Sequence, residues 1–229
     1  MMRHFSVKLL LAIMLGFVVS AVAQDARPDP RALLKSARVA QANMDWKFTG
    51  QLRVGSSSAK IPFILTVADG VTRYHFQDNG DSITLRLGEK GSRLEETIGG
   101  KTAVVPPARF GQLVRNTNIS YEDLTLQFLY WTNARLVGDE IILGRDSWQI
   151  DLIPPAPGAS QYSRVRVWIS KGENAVMKME AYDANGRAFR KYTVRSVMKR
   201  DDYWFLKQME ISGGGAKKPT MLELKDVVQ

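Results

Sequence analysis

Apolar and polar residues alternate along much of this chain. From Trp46 the apolar side chains fall at every second position as far as Val54, and Gly50 takes one of the apolar positions. A period of two predicts a strand with one buried face. The same period recurs at residues 61–67, 73–77, 82–87, 148–152, 165–169, 177–181, 192–198, 203–211 and 220–228. The pattern therefore predicts roughly ten or eleven strands.

Turn-forming residues separate these strands. Glycine, asparagine, aspartate and serine cluster at residues 55–58, 69–70, 78–81, 88–91, 99–100 and 183–186. Short breaks of this kind predict consecutive antiparallel hairpins. No segment repeats at a fixed period, which argues against a propeller or a solenoid.

One amphipathic helix is predicted near the N-terminus, in residues 31–44. The proline-rich residues 25–30 precede it. Its apolar positions follow the helical spacing: Leu33, Leu34, Ala37, Ala40 and Met44. Such a helix can cover the apolar face of a curved sheet.

A second helix is predicted in the middle of the chain, starting at or just after Ser120. Ser120 and Asp123 have the spacing of a capping box, and acidic residues favour a helix N-terminus. The apolar residues of this helix are Tyr121, Leu124, Phe128 and Trp131 on one stripe, with Leu126, Leu129 and Tyr130 beside it. A helix that is apolar on nearly every side is either a buried core helix or a lid over a hydrophobic cavity. The residues leave both interpretations open.

These elements predict a mainly β fold with helices, of the α+β class. We expect an incomplete antiparallel β-barrel of about 10–11 strands. The N-terminal helix and the central helical lid or plug are expected on its concave face. Residues 24–229 are expected to form a single domain, because about 200 residues suffice for one sizeable core.

The first 23 residues have the pattern of a secretory signal peptide. Positively charged residues precede an apolar run at residues 9–19, and residues 21–23 form a small-residue cleavage site. The apolar run is shorter than the ~20 residues of a membrane-spanning helix. We therefore expect cleavage after Ala23 and a periplasmic location.

Composition limits the partners of the exported chain. It contains no cysteine, so no disulfide stabilises it and no cysteine carries a lipid. The formal net charge is +9, of which Arg3 and Lys8 in the signal contribute +2, leaving +7 on the mature chain. This charge favours anionic partners such as phospholipid headgroups or acidic proteins, or it serves solubility alone. Nucleic acid is not expected, because the cations are scattered and the chain is exported.

Few residues suit catalysis or metal binding. Once the signal is removed, His75 is the sole histidine, and it lies on the polar side of a predicted strand. Ser–His, Cys–His and zinc chemistry therefore lack their usual groups. Asp78 and Asp81 fit a hairpin turn better than a calcium loop, and residues 213–215 fit a flexible turn better than a phosphate loop. We expect no enzyme activity, no cofactor and no metal.

Charged residues on two predicted strands raise further possibilities. Arg164, Arg166 and Trp168 share one strand face, which either meets an anionic headgroup or is a solvated surface. Glu95 and Glu96 point to opposite faces of a strand, so they do not form an acid–base pair by themselves.

Several short segments are informative because of the order in which they follow one another along the chain. After the N-terminal helix and the long series of strands, these are SYEDL at residues 120–124, YSRVRVWIS at residues 162–170, MKMEAYD at residues 177–183, Gly186, and YW at residues 203–204. In this order they resemble the bacterial outer-membrane lipoprotein-sorting proteins of the LolA/LolB-like superfamily. The resemblance covers most of residues 30–229.

The resemblance implies a half-open barrel whose lid covers a hydrophobic cavity for acyl chains. It implies a periplasmic carrier of lipids or lipoproteins that serves sorting to the outer membrane. The implied partners are the acyl chains, an inner-membrane transporter or an outer-membrane acceptor, and transiently a membrane surface. The residues expected to line the cavity are aromatic, leucine and methionine side chains: Trp46, Phe48, Leu52, Phe63, Leu65, Tyr74, Phe76, Leu124, Phe128, Trp131, Met177 and Met179.

Two other functions stay open on the same fold. One is a periplasmic protein-interaction or envelope-stress sensor module, which requires a filled barrel and an immobile central helix. The other is an envelope hydrolase, which requires Asp, Glu or Ser side chains clustered around a cleft.

Overall fold

The computed structural model describes residues 27–42, 45–57, 59–200 and 203–228. The signal peptide predicted at residues 1–23 lies outside these ranges. The helices are α1 (Pro30–Ala42) and α2 (Tyr121–Thr125), with 3₁₀ turns at Pro107–Arg109, Val114–Asn116 and Gln127–Tyr130. The strands are β1 (Trp46–Val54), β2 (Ile61–Ala68), β3 (Val71–Phe76), β4 (Ser82–Leu87), β5 (Ser92–Ile98), β6 (Lys101–Val104), β7 (Asn133–Ile142), β8 (Arg145–Ile153), β9 (Arg164–Ser170), β10 (Val176–Tyr182), β11 (Ala188–Arg200), β12 (Tyr203–Gly213) and β13 (Thr220–Val228).

These strands form a 13-stranded antiparallel sheet in the order β6-β5-β4-β3-β2-β1-β13-β12-β11-β10-β9-β8-β7. Strands adjacent in sequence pair with each other except β6 and β7, and β1 pairs with β13 to join the two halves of the sheet. Strands β6 and β7 are the outer edges, and among the described residues they do not pair with each other. The predicted incomplete antiparallel barrel is confirmed as an open sheet.

The alternation of apolar and polar residues in the sequence does not predict three of the strands: β5, β6 and β7. All four residues of β6 are exposed, and no residue of β7 is fully buried. On β5 only Leu94 is fully buried. Because these strands lie at or near the edges and have no continuous buried face, their sequences show no period of two. The predicted strand number is too low for this reason.

The inner face of β1 shows how alternation produces burial. Phe48 and Leu52 are 2% and 3% exposed. Between them Gly50 is paired with Phe63 of β2, and a Cβ at Gly50 would lie 2.5 Å from Cζ of that ring. The glycine therefore leaves the space that the aromatic ring occupies.

Helix α1 covers part of the inner face. Leu34 and Ala37 are buried, and the helix contacts β7 and the 3₁₀ turn at Gln127–Tyr130. It begins one residue before the predicted start and is described as far as Ala42, so predicted residues 43 and 44 lie outside the described ranges. No helix in the described parts of the chain is long and apolar enough to cross a bilayer.

The continuous central helix predicted from Ser120 to Trp131 is wrong. Its capping box forms as predicted, since Ser120 and Asp123 bond each other's backbone N–H groups. Helix α2 nevertheless ends at Thr125, because Leu126 adopts the left-handed conformation with φ 51°. A straight helix presents one stripe to a sheet, whereas the break lets residues before and after Leu126 pack on two different parts of it.

We expect Gly50→Ala to lower the free energy of unfolding by about 1–3 kcal/mol, because the added methyl group overpacks the Phe63 ring. Urea denaturation measures this change. The control is Gly138→Ala on edge strand β7, where the nearest atom to an added Cβ is 3.8 Å away. Equal losses in the two variants would contradict the packing role of Gly50.

Candidate binding site on the inner face of the sheet

The inner face carries two apolar clusters that divide the sheet. The first cluster lies on β1–β5, β12 and β13 and includes Phe48, Phe63 and Ile211. The second cluster lies on β8–β10 and includes Ile150, Val167 and Met179. Tyr192 of β11 contacts both clusters. Side chains of α1 and of the chain between β6 and β7 complete them, because the described residues form no second sheet that could pack on this face.

Residues 105–131, here called the connecting segment, join the two edges of the sheet across its inner face. Val105, Val114 and Ile119 pack in the first cluster. Phe128 and Leu129 pack in the second. The segment therefore occupies the concave side that the sequence assigns to a lid or plug.

The predicted lining residues all lie on the described chain, and most belong to these clusters. Buried members of the first cluster are Phe48, Leu52, Phe63, Leu65 and Phe76, with Trp46, Tyr74 and Leu124 packed against it. Phe128, Trp131 and Met179 belong to the second cluster. Met177 is buried but belongs to neither cluster. Their role in lining a lipid cavity stays a prediction.

One small cavity lies beneath the connecting segment. A cavity of about 20 Å³ lies among Leu52, Tyr74, Phe76, Ile83, Val114, Ile119, Leu124 and Leu222. This is about the volume of one water molecule. Burial of the Tyr74 side chain raises its pKa to about 12. The described side chains around this cavity are buried and closely packed, and an acyl chain would enter it only if the segment moved.

Polar contacts fix the middle of the connecting segment, at Asn118, to the hairpin of β12 and β13. The Asn118 side-chain amide donates hydrogen bonds to the carbonyls of Ile211 (3.3 Å) and Lys218 (3.0 Å). Its backbone N–H donates to the Thr220 hydroxyl at 2.9 Å. Because Asn118 is only 1% exposed, these contacts satisfy polar groups that would otherwise be buried without partners.

A buried ion pair fixes the centre of the segment. The Arg190 guanidinium of β11 donates to the Asp123 carboxylate of α2, and the two side chains are 2% and 1% exposed. The Tyr162 hydroxyl donates to the other carboxylate oxygen at 2.6 Å, and Arg190 Nη1 lies 3.0 Å from that hydroxyl. The Ser120 hydroxyl and backbone N–H also donate to this carboxylate. Asp123 thus joins the segment to β11 and to the loop just before β9.

Two polar atoms around this pair have no hydrogen-bond partner among the described residues. They are Arg190 Nε and the Tyr192 hydroxyl. Burial and the negative charge of Asp123 raise the pKa of Tyr192 well above its usual value. Burial, with the same charge, also raises the pKa of Tyr162. Both phenols therefore remain protonated donors at neutral pH.

The glycine turn at residues 213–215 lies directly against Arg190. All three have positive φ, and a Cβ at Gly214 would lie 2.5 Å from Arg190 Nη2. A Cβ at Gly213 would lie 2.2 Å from the Phe189 carbonyl oxygen. The predicted turn is present, but close approach to Arg190 and its neighbour explains the glycines better than flexibility does.

Further contacts fix α2 on both sides. Glu122 accepts hydrogen bonds from the Ser160 hydroxyl and from the Gln161 N–H at 3.2 Å. Glu96 accepts from Arg109 Nη1 at 2.8 Å and from the Tyr121 hydroxyl. Burial, with the Glu96 contact, raises the pKa of Tyr121 to about 12.

Glu95 and Glu96 face opposite sides of the sheet, as predicted. Glu95 pairs with Arg86 and Arg93, whereas Glu96 meets the connecting segment. Both carboxylates are engaged in structural contacts, and they do not converge on one cleft. No group of three or more His, Asp or Glu side chains suited to a metal ion occurs in the chain as described.

The strand face with two arginines is a network of ion pairs. Asp151 accepts from Arg166 Nε at 2.6 Å and from Arg164 Nη1 at 2.8 Å. Trp168 is 3% exposed and donates to Glu140 at 2.7 Å, with the Lys178 ammonium 4.0 Å from its ring centroid. Because the cations already have acidic partners, this face fits the solvated-surface interpretation and not a headgroup site.

The sequence does not reveal the role of Arg190. Its only signal is an arginine in the apolar register of β11, two residues before Tyr192 and four before Val194. An arginine in a buried register position indicates a buried anionic partner. The identity of that partner depends on the tertiary fold, since Asp123 lies 67 residues away.

With this geometry known, comparisons with other proteins give the family. A family model described as uncharacterized protein-like matches residues 101–229, more than half of the chain. The chain belongs to that family, and its fold is LolA-like. At the level of the fold, the resemblance to the lipoprotein-sorting proteins that the sequence predicts is confirmed. No curated protein matches the chain in sequence.

Solved structures establish the fold of this LolA-like protein. An outer-membrane lipoprotein-sorting protein domain from Vibrio parahaemolyticus is similar with a TM-score of 0.68 at 18% identity, over 87% of this chain and 93% of that chain. A DUF1329 family protein from Desulfovibrio piger has a TM-score of 0.61 at 17% identity, with the same coverage. A LolA superfamily protein from Nitrosomonas europaea has a TM-score of 0.60 at 13% identity, again over 87% and 93%. At these identities the likeness concerns the fold alone.

We expect Asp123→Asn to lower the free energy of unfolding of this LolA-like protein by about 3–5 kcal/mol, because it leaves the buried Arg190 charge unpaired. Urea denaturation measures the loss. The control is Asp78→Asn, which breaks the more exposed pair with Arg115 and should cost about 0–1 kcal/mol. Similar losses in both variants would contradict the central role of the buried pair.

We expect the stabilisation by Asp151 to depend on pH. Burial by itself raises the pKa of Asp151, but the hydrogen bonds from Arg166 and Arg164 outweigh it and lower the pKa. A lowered pKa gives stability that is complete above the unfolded pKa of about 4 and disappears as the pH falls through the lower folded value. Wild type should therefore exceed Asp151→Asn by about 1–3 kcal/mol at pH 7 and lose that advantage below pH ~4.

Urea denaturation between pH 2 and pH 7 measures this difference. The control is Asp146→Asn, because Asp146 is an exposed aspartate of the same strand. A difference between wild type and Asp151→Asn that stays constant across this range would contradict the assignment.

Proposed function

We propose that this protein is a periplasmic carrier that binds the acyl chains of lipids or lipoproteins and serves their sorting or transport to the outer membrane. One observation carries the proposal: the connecting segment, together with helix α1, covers the apolar inner face of an open sheet. A second sheet packed on the inner face would cover it permanently. A segment between two edges can lift while the strand ladder stays paired.

Hydrophobic transfer supplies the binding energy in this proposal. Each methylene group taken from water contributes about 0.8 kcal/mol, so half of an ordinary acyl chain gains several kcal/mol without a specific polar motif. The 20 Å³ cavity is too small for such a chain. Binding therefore requires that the connecting segment leave the inner face and that acyl chains replace its side chains.

The similarity in fold to the Vibrio parahaemolyticus domain, which is named for outer-membrane lipoprotein sorting, supports the same class of function. In this proposal the signal peptide at residues 1–23 directs export, and the chain works as a soluble chaperone for acyl groups. Its partners are an inner-membrane transporter or an outer-membrane acceptor, with brief contact with a membrane surface. Catalysis is no part of the proposal, because Glu95, Glu96 and Asp123 are engaged in structural contacts.

A periplasmic protein-interaction or sensor module is the second candidate. The filled inner face favours it, since such a module needs no cavity. In that case the connecting segment stays in place and acyl probes do not bind. The two candidates therefore differ in one measurable property, the movement of the segment.

A reversible tether tests this movement. Glu122 and Gln161 are in hydrogen-bond contact and are not fully buried, so cysteines there can be joined by a short, reducible bismaleimide. We expect the tethered protein to bind the neutral probe 1-N-phenylnaphthylamine at least tenfold more weakly than the untethered variant. Cleavage of the tether by a reducing agent should restore binding, measured by probe fluorescence.

Each single-cysteine variant treated with the same reagent serves as a control for modification alone. Mass spectrometry of protein purified without detergent supplies a second measurement, in which we expect co-purified acyl lipid. Absence of both lipid and probe binding would refute the carrier function. Equal binding with and without the tether would refute movement of the segment.

A further inference from the structure

The buried ion pair divides its members between the connecting segment and the sheet. Asp123 belongs to α2 within the segment. Arg190 and Tyr192 belong to β11, and Tyr162 lies two residues before β9. If the segment leaves the inner face, the carboxylate leaves with it, and the guanidinium and both phenols remain on the sheet.

The groups that remain are all donors. A guanidinium has five N–H groups and no acceptor, and protonated phenols supply O–H groups. Two of these donor atoms, Arg190 Nε and the Tyr192 hydroxyl, lack a partner even while Asp123 is in place. Arg190 is the largest fully buried side chain of the described residues, at 1% exposure. A buried positive charge surrounded by spare donors is suited to a carboxylate or a phosphate.

The position of these donors relates them to the apolar clusters. Tyr192 packs against both clusters, and Tyr162 is a buried member of the second cluster. The donors therefore lie at the boundary of the two apolar surfaces that the segment covers. A ligand with its head at Arg190 would have an apolar path for its tail along either half of the sheet.

From these contacts we infer that Arg190, Tyr162 and Tyr192 form a binding site for the anionic head of an acyl lipid, and that Asp123 occupies this site as an internal carboxylate in the closed protein. This inference rests on the proposed carrier function and names the class of its ligand. A lipid with a carboxylate or phosphate head replaces Asp123 when the segment opens. A lipid with a neutral head leaves the Arg190 charge unpaired and is disfavoured.

Binding of three lipids with the same tail tests the inference: decanoate, decyl phosphate and decanol at pH 7.5. Displacement of 1-N-phenylnaphthylamine measures each affinity. We expect the two anions to bind at least tenfold more tightly than decanol, since a charged hydrogen-bond set in a buried site discriminates by about a factor of ten or more. Acetate and inorganic phosphate, which have no tail, should bind far more weakly than either anion.

Two variants test whether the preference for anionic lipids depends on the proposed site around Arg190. Tyr192→Phe removes a hydroxyl that has no partner, so it should leave the fold intact and reduce the preference for anions severalfold. Asp123→Asn removes the internal carboxylate and should raise the affinity for decanoate more than that for decanol. The control Tyr182→Phe on the outer face should keep the wild-type preference.

The outcomes separate this inference from the carrier function. If decanol binds as tightly as decanoate, or if Tyr192→Phe keeps the full preference, the anion site is refuted while the carrier function stands. If none of the three lipids binds, the carrier function is refuted and the anion site with it.

Discussion

The ion pair between Asp123 and Arg190 is the contact on which the closed form of this protein depends. Both charges lie in a largely apolar interior, where an unpaired charge is strongly unfavourable. Each charge therefore requires the other to stay in place. Because Asp123 is on the connecting segment and Arg190 on the sheet, this interaction joins the two parts that separate in the proposed carrier mechanism.

Other local features of the chain position Asp123 and Arg190 for this contact. The capping box fixes α2 so that Asp123 faces inward, and the glycines at residues 213–215 let the β12–β13 turn approach Arg190. The left-handed Leu126 directs the rest of the segment to the second apolar cluster. The strand ladder is continuous and independent of these contacts. In the proposed carrier, the sheet stays paired while the connecting segment moves to bind and release apolar cargo.

Particular elements show how far the sequence predicts the fold. Strands such as β1, β2 and β9 are predicted because alternating residues face a dry interior and a wet exterior. Strand β6 is missed because its residues are all exposed, so no period distinguishes it from a loop. The long central helix is wrong because apolar composition does not reveal a left-handed residue. That conformation is set by packing on two separate clusters.

The sequence by itself determined the alternation of the strands, the capped start at Ser120 and the resemblance in fold, because all of these depend on local spacing or order. The tertiary structure alone decided the partner of Arg190, the break at Leu126 and the filling of the inner face. These depend on residues far apart in the chain: Asp123 and Arg190 are separated by 67 positions. No local pattern encodes a contact between such distant residues, so only the folded sheet brings the two charges together.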